Sequence, residues 1–307
     1  MDALVSAGWA PRSRTGYGVA VRRYLRFTAD HSLAPLPLQE SVIMRYVGYL
    51  DLQGLAPATI KVYLSAIRAW VVSLGLDPPD IWTPRVHLML KAITRERPPP
   101  RQAAPITHHH LTQMIKHLTG SRDHLLIASS ITLQYFACLR ASELCTDLSR
   151  SIIPSRSDIS FLQHASRPIM AFRVRTSKTN PHGFVVHLGC SGDPVCAVCI
   201  THHYLRTHPL PPNAPLFQLS TGQHLTYGLH NHHIKHLLHL AGFNPALYST
   251  HSLRAGAATQ AARSGLARED IKRLGRWRSQ AYEVYLRPPP EAYADLAPAL
   301  TAPPPPL

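Results

Sequence analysis

The chain has 307 residues, 45% of them hydrophobic, and its 32 Lys and Arg against 17 Asp and Glu give a formal net charge of +15 before any of the 20 histidines is protonated. That length suits two domains, and the charge points to a polyanionic partner, nucleic acid first. No apolar run approaches the ~18–20 residues of a bilayer span, no basic amphipathic helix offers a membrane face, and residues 1–12 lack the form of a secretory signal, so a soluble intracellular protein without a membrane partner is expected.

The first hundred residues have helical periodicity. Tyr17, Val21, Tyr24 and Leu25 share one face of a first helix, followed by a turn at Pro35 and Pro37. Ile43, Tyr46, Val47 and Leu50 repeat the pattern up to Gly54. After Pro57, the residues Ile60, Tyr63, Leu64, Ile67, Trp70, Val71 and Leu74 form the strongest apolar stripe in the chain, ended by Gly75. A shorter helix is predicted from Pro84 to Thr94. Four such helices make a small bundle over residues 1–94, with the stripes as its core rather than a cofactor box. Arg95-Glu96-Arg97-Pro98-Pro99-Pro100-Arg101 cannot continue a helix, so residues 95–105 are assigned as a Pro-rich linker. Its arginines are either solvated or follow a phosphate backbone.

A second domain is expected over residues 106–287. Thr107 is placed as the cap of a helix reaching His117, and His124 opens a mostly apolar helix to Leu139. Two short strands follow: Ile169 to Arg175, where Phe172 and Val174 alternate with Arg173 and Arg175, and Phe184 to Leu188. Between them Ser177-Lys178-Thr179-Asn180-Pro181-His182-Gly183 is rich in turn residues. From Tyr227 the pattern is helical again, broken at Gly242, Gly265 and Gly275. Residues 288–307 form a Pro-rich tail with at most one short helix, Glu291 to Leu296.

Five cysteines, an odd number, make no disulfide framework. Cys190, Cys196 and Cys199, with His202 and His203 just beyond, have the ligand types of a zinc site. The Cys196–Cys199 pair has no second such pair, so these are assigned as buried or idle thiols and no metal is expected. His230, His232, His233, His236 and His239 are assigned to a solvated or DNA-facing surface, and His108 to His110 to a solvated helix start.

Four further segments acquire meaning only together. Arg140 ends an apolar helix in Leu139-Arg140-Ala141-Ser142-Glu143-Leu144, where a structural pair with Glu143 is the plain alternative. Lys178 sits in the hairpin turn, where a solvated lysine is ordinary. His251-Ser252-Leu253-Arg254 opens a helix with its His and Arg on one face. Leu274-Gly275-Arg276-Trp277 precedes Tyr282 and Tyr285. In this order, and with a helical N-terminal half, the chain resembles the tyrosine recombinase (phage integrase) family from the first helix to Tyr285. Gly275-Arg276-Trp277-Arg278-Ser279 with Ala281-Tyr282 most resembles the eukaryotic mobile-element branch.

The resemblance implies a mainly α fold with a small antiparallel β-sheet: a helical core-binding domain that clamps DNA, and an α+β catalytic domain. It implies a site-specific recombinase or integrase that cleaves one strand, leaving a 3′-phosphotyrosine and a free 5′-hydroxyl, and then rejoins it. Tyr285 is the implied nucleophile, its following Leu-Arg and its distance from Gly275 matching the family better than Tyr282. Arg140 and Arg254 would clamp the non-bridging oxygens. His251 would take the phenolic proton or orient a phosphate oxygen, and Lys178 would protonate the departing 5′-oxygen. Many members carry His where Arg276 stands and others carry Trp; Trp277 is favoured as the indole donor, against a core anchor, and Arg276 is assigned to the DNA backbone. The implied partners are double-stranded DNA and a homo-tetramer on two DNA sites, with no membrane. No nucleotide cofactor is needed, because the phosphotyrosine conserves bond energy, and no metal, in keeping with the lack of a paired-carboxylate cluster. The alternative is a catalytically inactive DNA-binding protein derived from a recombinase. Either would lie inside the cell with DNA, in the nucleus of a eukaryote.

Overall fold

The computed structural model describes Trp9 and residues 11–99, 102–145, 153–164, 167–177 and 180–285. The chain divides into two compact units, Met1–Arg101 and Gln102–Leu307.

The described part of the first unit is four helices: α1 (Pro11–Asp30), α2 (Glu40–Leu52), α3 (Pro57–Ser73) and α4 (Pro84–Glu96). Their ends have local causes. Pro57 and Pro84 stand in first turns, where a missing N–H breaks no helical bond. Thr83 accepts the amide of Val86, and Gly54 and Gly75 turn the chain at φ +78° and +74°. Tyr24, Ile43, Tyr46, Val47, Leu50, Ile60, Leu64 and Ile67 are buried, with Tyr24 edge-on to Tyr46 at 5.2 Å. The inward stripe of α1 runs Ala20, Tyr24, Phe27, so Leu25 is left 36% exposed, contrary to the expected face. Leu74, past the last inward turn of α3, is likewise exposed. α4 runs two residues beyond Thr94, and Arg97 is drawn inward: it donates to the carbonyls of Asp51 and Gly54 at 2.9 and 3.0 Å and pairs with the Asp51 carboxylate, closing the C-terminal end of α2.

The second unit contains α5 (His108–Ile115), α6 (Arg122–Phe136), α7 (Ala141–Leu144), β1 (Ile159–His164), β2 (Arg167–Val174), β3 (Phe184–Gly189), α8 (Ala197–Thr207), α9 (Tyr227–Leu240), α10 (His251–Arg263), α11 (Arg268–Gly275) and a closing 3-10 turn, Gln280–Tyr285. The sheet is antiparallel in the order β1-β2-β3, with Phe172 opposite Ile159 on one side and Val186 on the other. It has three strands where two were expected. β1 escapes the pattern because Ile159 alone of its residues is buried, so its alternation is faint. The helix α8, in a Cys- and His-rich stretch, was also not anticipated. The tail beyond residue 287, with its expected Glu291–Leu296 helix, lies outside the described residues. Among those described, no helix is long and apolar enough to cross a membrane.

α6 is the centre of this unit: every residue from Leu126 to Tyr135 is buried, polar ones included. Buried polar groups must be paired, and here the pairs set the architecture. Ser129 Oγ meets Thr201 Oγ1 of α8 at 2.8 Å. Gln134 donates to the carbonyls of Leu139 and Thr250 at 3.3 and 3.0 Å, while its Oε1 accepts from His230 Nε2 at 2.6 Å. One amide therefore joins the end of α6, the start of α10 and the first turn of α9. His230 is thus fully buried rather than on the surface, whereas His232, His236 and His239 are exposed. His110 is structural too: its ring nitrogens meet Thr107 Oγ1 at 2.6 Å and the Tyr248 hydroxyl at 2.9 Å. α5 stops at Ile115 and α6 at Phe136, both earlier than expected. At Cys138 the chain turns left-handed, at φ +49°.

Candidate active site

The left-handed turn at Cys138 aims the carbonyls of Ala137 and Cys138, just past α6, at two arginines from the C-terminal part of the unit. Arg254 donates from Nη1 to Cys138 O at 2.6 Å and from Nη2 to Gly275 O at 2.6 Å. Arg276 donates to Ala137 O at 3.0 Å and to Cys138 O at 3.2 Å. Carbonyls at a helix C-terminus lack intrahelical donors and carry partial negative charge, so guanidinium groups suit them.

Arg140 follows as the residue before α7. Its amide and its Nη1 both donate to the Glu143 carboxylate, at 2.9 Å each, so the anticipated pair with Glu143 is present. Glu143 is buried and also accepts from Arg276 Nη2 at 3.4 Å. It is the residue that sequence reasoning undervalued: it was visible only as a helical neighbour of Arg140, and its second arginine arrives from the far end of the unit. Burial lowers the Arg276 pKa from its ordinary value; the Glu143 carboxylate opposes this, and the charges of Arg254 and Arg140 add to the lowering. Three guanidinium groups are thus gathered within electrostatic reach of one another.

The Gly275-Arg276-Trp277 segment has a steric logic. Arg276 takes the left-handed conformation at φ +57°, and the Trp277 amide reaches back to Lys272 O at 3.0 Å, closing α11. The indole then folds over Gly275, where a Cβ would lie 1.8 Å from Trp277 Cζ3. The ring faces the Arg254 guanidinium at 4.6 Å and lies 6.0 Å from the ring of Tyr282. Arg276 covers Phe184 of β3, 4.5 Å from its centroid.

Arg140, Arg254 and Trp277 are therefore brought together, with Arg276 pointing into the protein against carbonyls and Glu143. His251 stands exposed in the first turn of α10, one turn before Arg254, which is 1% exposed. Tyr282 is buried against Ala261, Ile271 and Trp277. The backbone of Tyr285 ends the 3-10 turn that packs on α10 and α11; its side chain lies outside the description. Lys178 also lies outside the described residues, in the connection between β2 and β3. The side chains paired with Glu143 are the guanidinium groups of Arg140 and Arg276, cations that attract an anion and repel a metal ion.

No protein-family model matches the sequence, and no curated protein matches it. Solved structures do match the fold. The chain is similar to the Tn1549 transposon integrase in complex with circular intermediate DNA, at 12% identity and a TM-score of 0.62 over 96% of this chain and 98% of that one. It is similar to the XerH site-specific recombinase bound to difH substrate, at 12% identity and 0.62 over 94% and 79%. A lambda integrase dimer bound to a COC′ core site matches at 14% identity and 0.59 over 93% and 74%. The chain has the fold of the tyrosine recombinases.

Proposed function

We propose that this chain, which carries the tyrosine-recombinase fold, is a site-specific recombinase or integrase that cleaves and rejoins DNA through a 3′-phosphotyrosine at Tyr285. One observation carries the reading: Arg140, Arg254 and Trp277, distant in sequence, converge at the end of α6 in a cluster of guanidinium charge. A phosphodiester under attack gains negative charge on its non-bridging oxygens, and arginine forks match that geometry while staying charged at any working pH. Each charge-assisted hydrogen bond is worth ~1.5–3 kcal/mol.

In this reading the Tyr285 oxygen attacks phosphorus, its proton passing to His251, and the 5′-oxygen leaves with a proton from Lys178. The P–O bond to Tyr285 replaces the P–O bond to the 5′-carbon oxygen, so resealing is the reverse reaction and needs no nucleotide. Glu143 holds Arg140 and Arg276 in place. Trp277 lies across Arg254, so a phosphate reaches that guanidinium by displacing or sliding under the indole. The packing of Tyr282 against Ala261, Ile271 and Trp277 supports Tyr285 as the nucleophile, because it gives Tyr282 a core role. The +15 charge suits a duplex partner, with residues 1–94 as a helical clamp and a homo-tetramer holding two sites.

The test is covalent capture on nicked duplexes drawn from the gene's own genomic surroundings, resolved on a denaturing gel. The reading expects a protein–DNA adduct with wild type and Tyr282→Phe and none with Tyr285→Phe. Loss only in Tyr282→Phe would transfer the nucleophile's role. Salt-sensitive DNA binding without any adduct would identify the inactive DNA-binding descendant instead.

A further inference from the structure

The three cysteines of the second unit's outer edge come together in a way their spacing did not announce. Cys190 follows β3 directly and is held there by its amide on Pro168 O at 3.0 Å. Cys196 caps α8 and Cys199 sits in its first turn. Their sulfurs meet: Cys190 Sγ is 3.3 Å from Cys199 Sγ and 3.8 Å from Cys196 Sγ, and all three lie within 4.8 Å of one another. We propose that Cys190, Cys196 and Cys199 form a three-thiolate site for zinc, tying the end of β3 to the start of α8.

The geometry fits that ion. Zinc–sulfur bonds of ~2.3 Å in a tetrahedron put neighbouring sulfurs ~3.8 Å apart, so no sulfur needs to move more than ~1 Å to close the site. The surroundings of Cys196 suit a sulfur that carries charge: the amide of Ser191 donates to its Sγ at 3.4 Å, and it stands at the N-terminus of α8. A Cys-x-x-Cys pair on the first turn of a helix, joined by a thiol from the end of a strand, supplies three ligands. Cys199 is exposed, which leaves the fourth tetrahedral position to water. A disulfide would engage two of the sulfurs and leave the third without a task. The site lies at the opposite end of β3 from the connection that carries Lys178, so the ion would anchor one arm of that hairpin.

The experiment uses the full chain, reduced and stripped with chelator, and titrates it with Co²⁺ alone. The expected result is a thiolate-to-cobalt charge-transfer band that saturates at one equivalent per chain and is displaced by Zn²⁺. Cys199→Ser and Cys190→Ser should abolish it, and Cys145→Ser, which alters a buried thiol outside the group, should keep it. Cys199 is at the surface, so circular dichroism of Cys199→Ser separates lost binding from lost fold. A folded, reduced wild type that takes up no cobalt overturns the proposal, as does a band that survives in Cys199→Ser. A Cys190–Cys199 disulfide that re-forms in the presence of Zn²⁺ overturns it in favour of a redox pair.

Discussion

Substituting Gly275 by alanine tests whether the Gly-Arg-Trp segment works as described. The added Cβ would sit 1.8, 2.1 and 2.2 Å from three atoms of the Trp277 ring. Carbon contacts settle at ~3.5–4.0 Å, so the ring must retreat by ~2 Å. It cannot do so freely, because it lies between the Arg254 guanidinium at 4.6 Å and the Tyr282 ring at 6.0 Å. Overpacking of this kind costs ~1–3 kcal/mol, and a displaced, desolvated cation–π contact adds ~1–2 kcal/mol. Alanine's better helix propensity returns at most ~1 kcal/mol. The net expectation is a loss of ~2–3 kcal/mol in urea denaturation followed by circular dichroism. Trp277→Ala alone should lose ~3 kcal/mol, near the low end for a large aromatic because the ring is half-buried. In the double variant the cause of the clash is gone, so it should be no less stable than Trp277→Ala, giving a coupling of ~2–3 kcal/mol. Additivity within ~0.5 kcal/mol would refute the steric account. Gly275 also presents its carbonyl to Arg254, so Gly275→Ala should lower the yield of covalent adduct as well.

Two other outcomes follow from buried charge and buried histidine. Glu143→Gln leaves Arg140 and Arg276 without their carboxylate; a broken buried pair costs ~3–5 kcal/mol, and because both arginine side chains keep 22% exposure the loss should fall near ~3 kcal/mol in the same urea assay. A loss under ~1 kcal/mol would mean the carbonyls alone hold Arg276. Burial depresses the His230 pKa from 6.5 to about 3. The unfolded chain therefore binds a proton below pH 6.5 that the native state refuses, so this contribution is complete above 6.5 and is lost as pH falls towards 3, at up to ~1.4 kcal/mol per pH unit. His230→Gln should flatten the stability profile between those limits relative to wild type, and parallel profiles would contradict the assignment.

Much of the first unit was legible from the residues. The spacing of Ile43, Tyr46, Val47 and Leu50, and of Ile60, Leu64, Ile67 and Val71, is a helix's own period, and Pro57, Gly54 and Gly75 bound it by backbone geometry that needs no tertiary partner. The hairpin of β2 and β3 was legible for the same local reasons, whereas Arg140, Lys178, His251, Arg254, Trp277 and Tyr285 stood out only through their resemblance, as an ordered set, to a known family. Faces were less so: Leu25 and Leu74 were misplaced because a stripe one residue wide of the true one looks equally apolar in sequence.

What only the tertiary structure decided are the meetings between distant segments. The sequence by itself determined most of the helices, the hairpin and the types of residue available, since those depend on neighbours along the chain. It could not show that Gln134 joins the starts and ends of three helices, that Glu143 answers two arginines, or that Cys190 reaches the first turn of α8. Each of these is a buried polar or polarisable group that needs a partner, and the partner is fixed by where the chain returns in space.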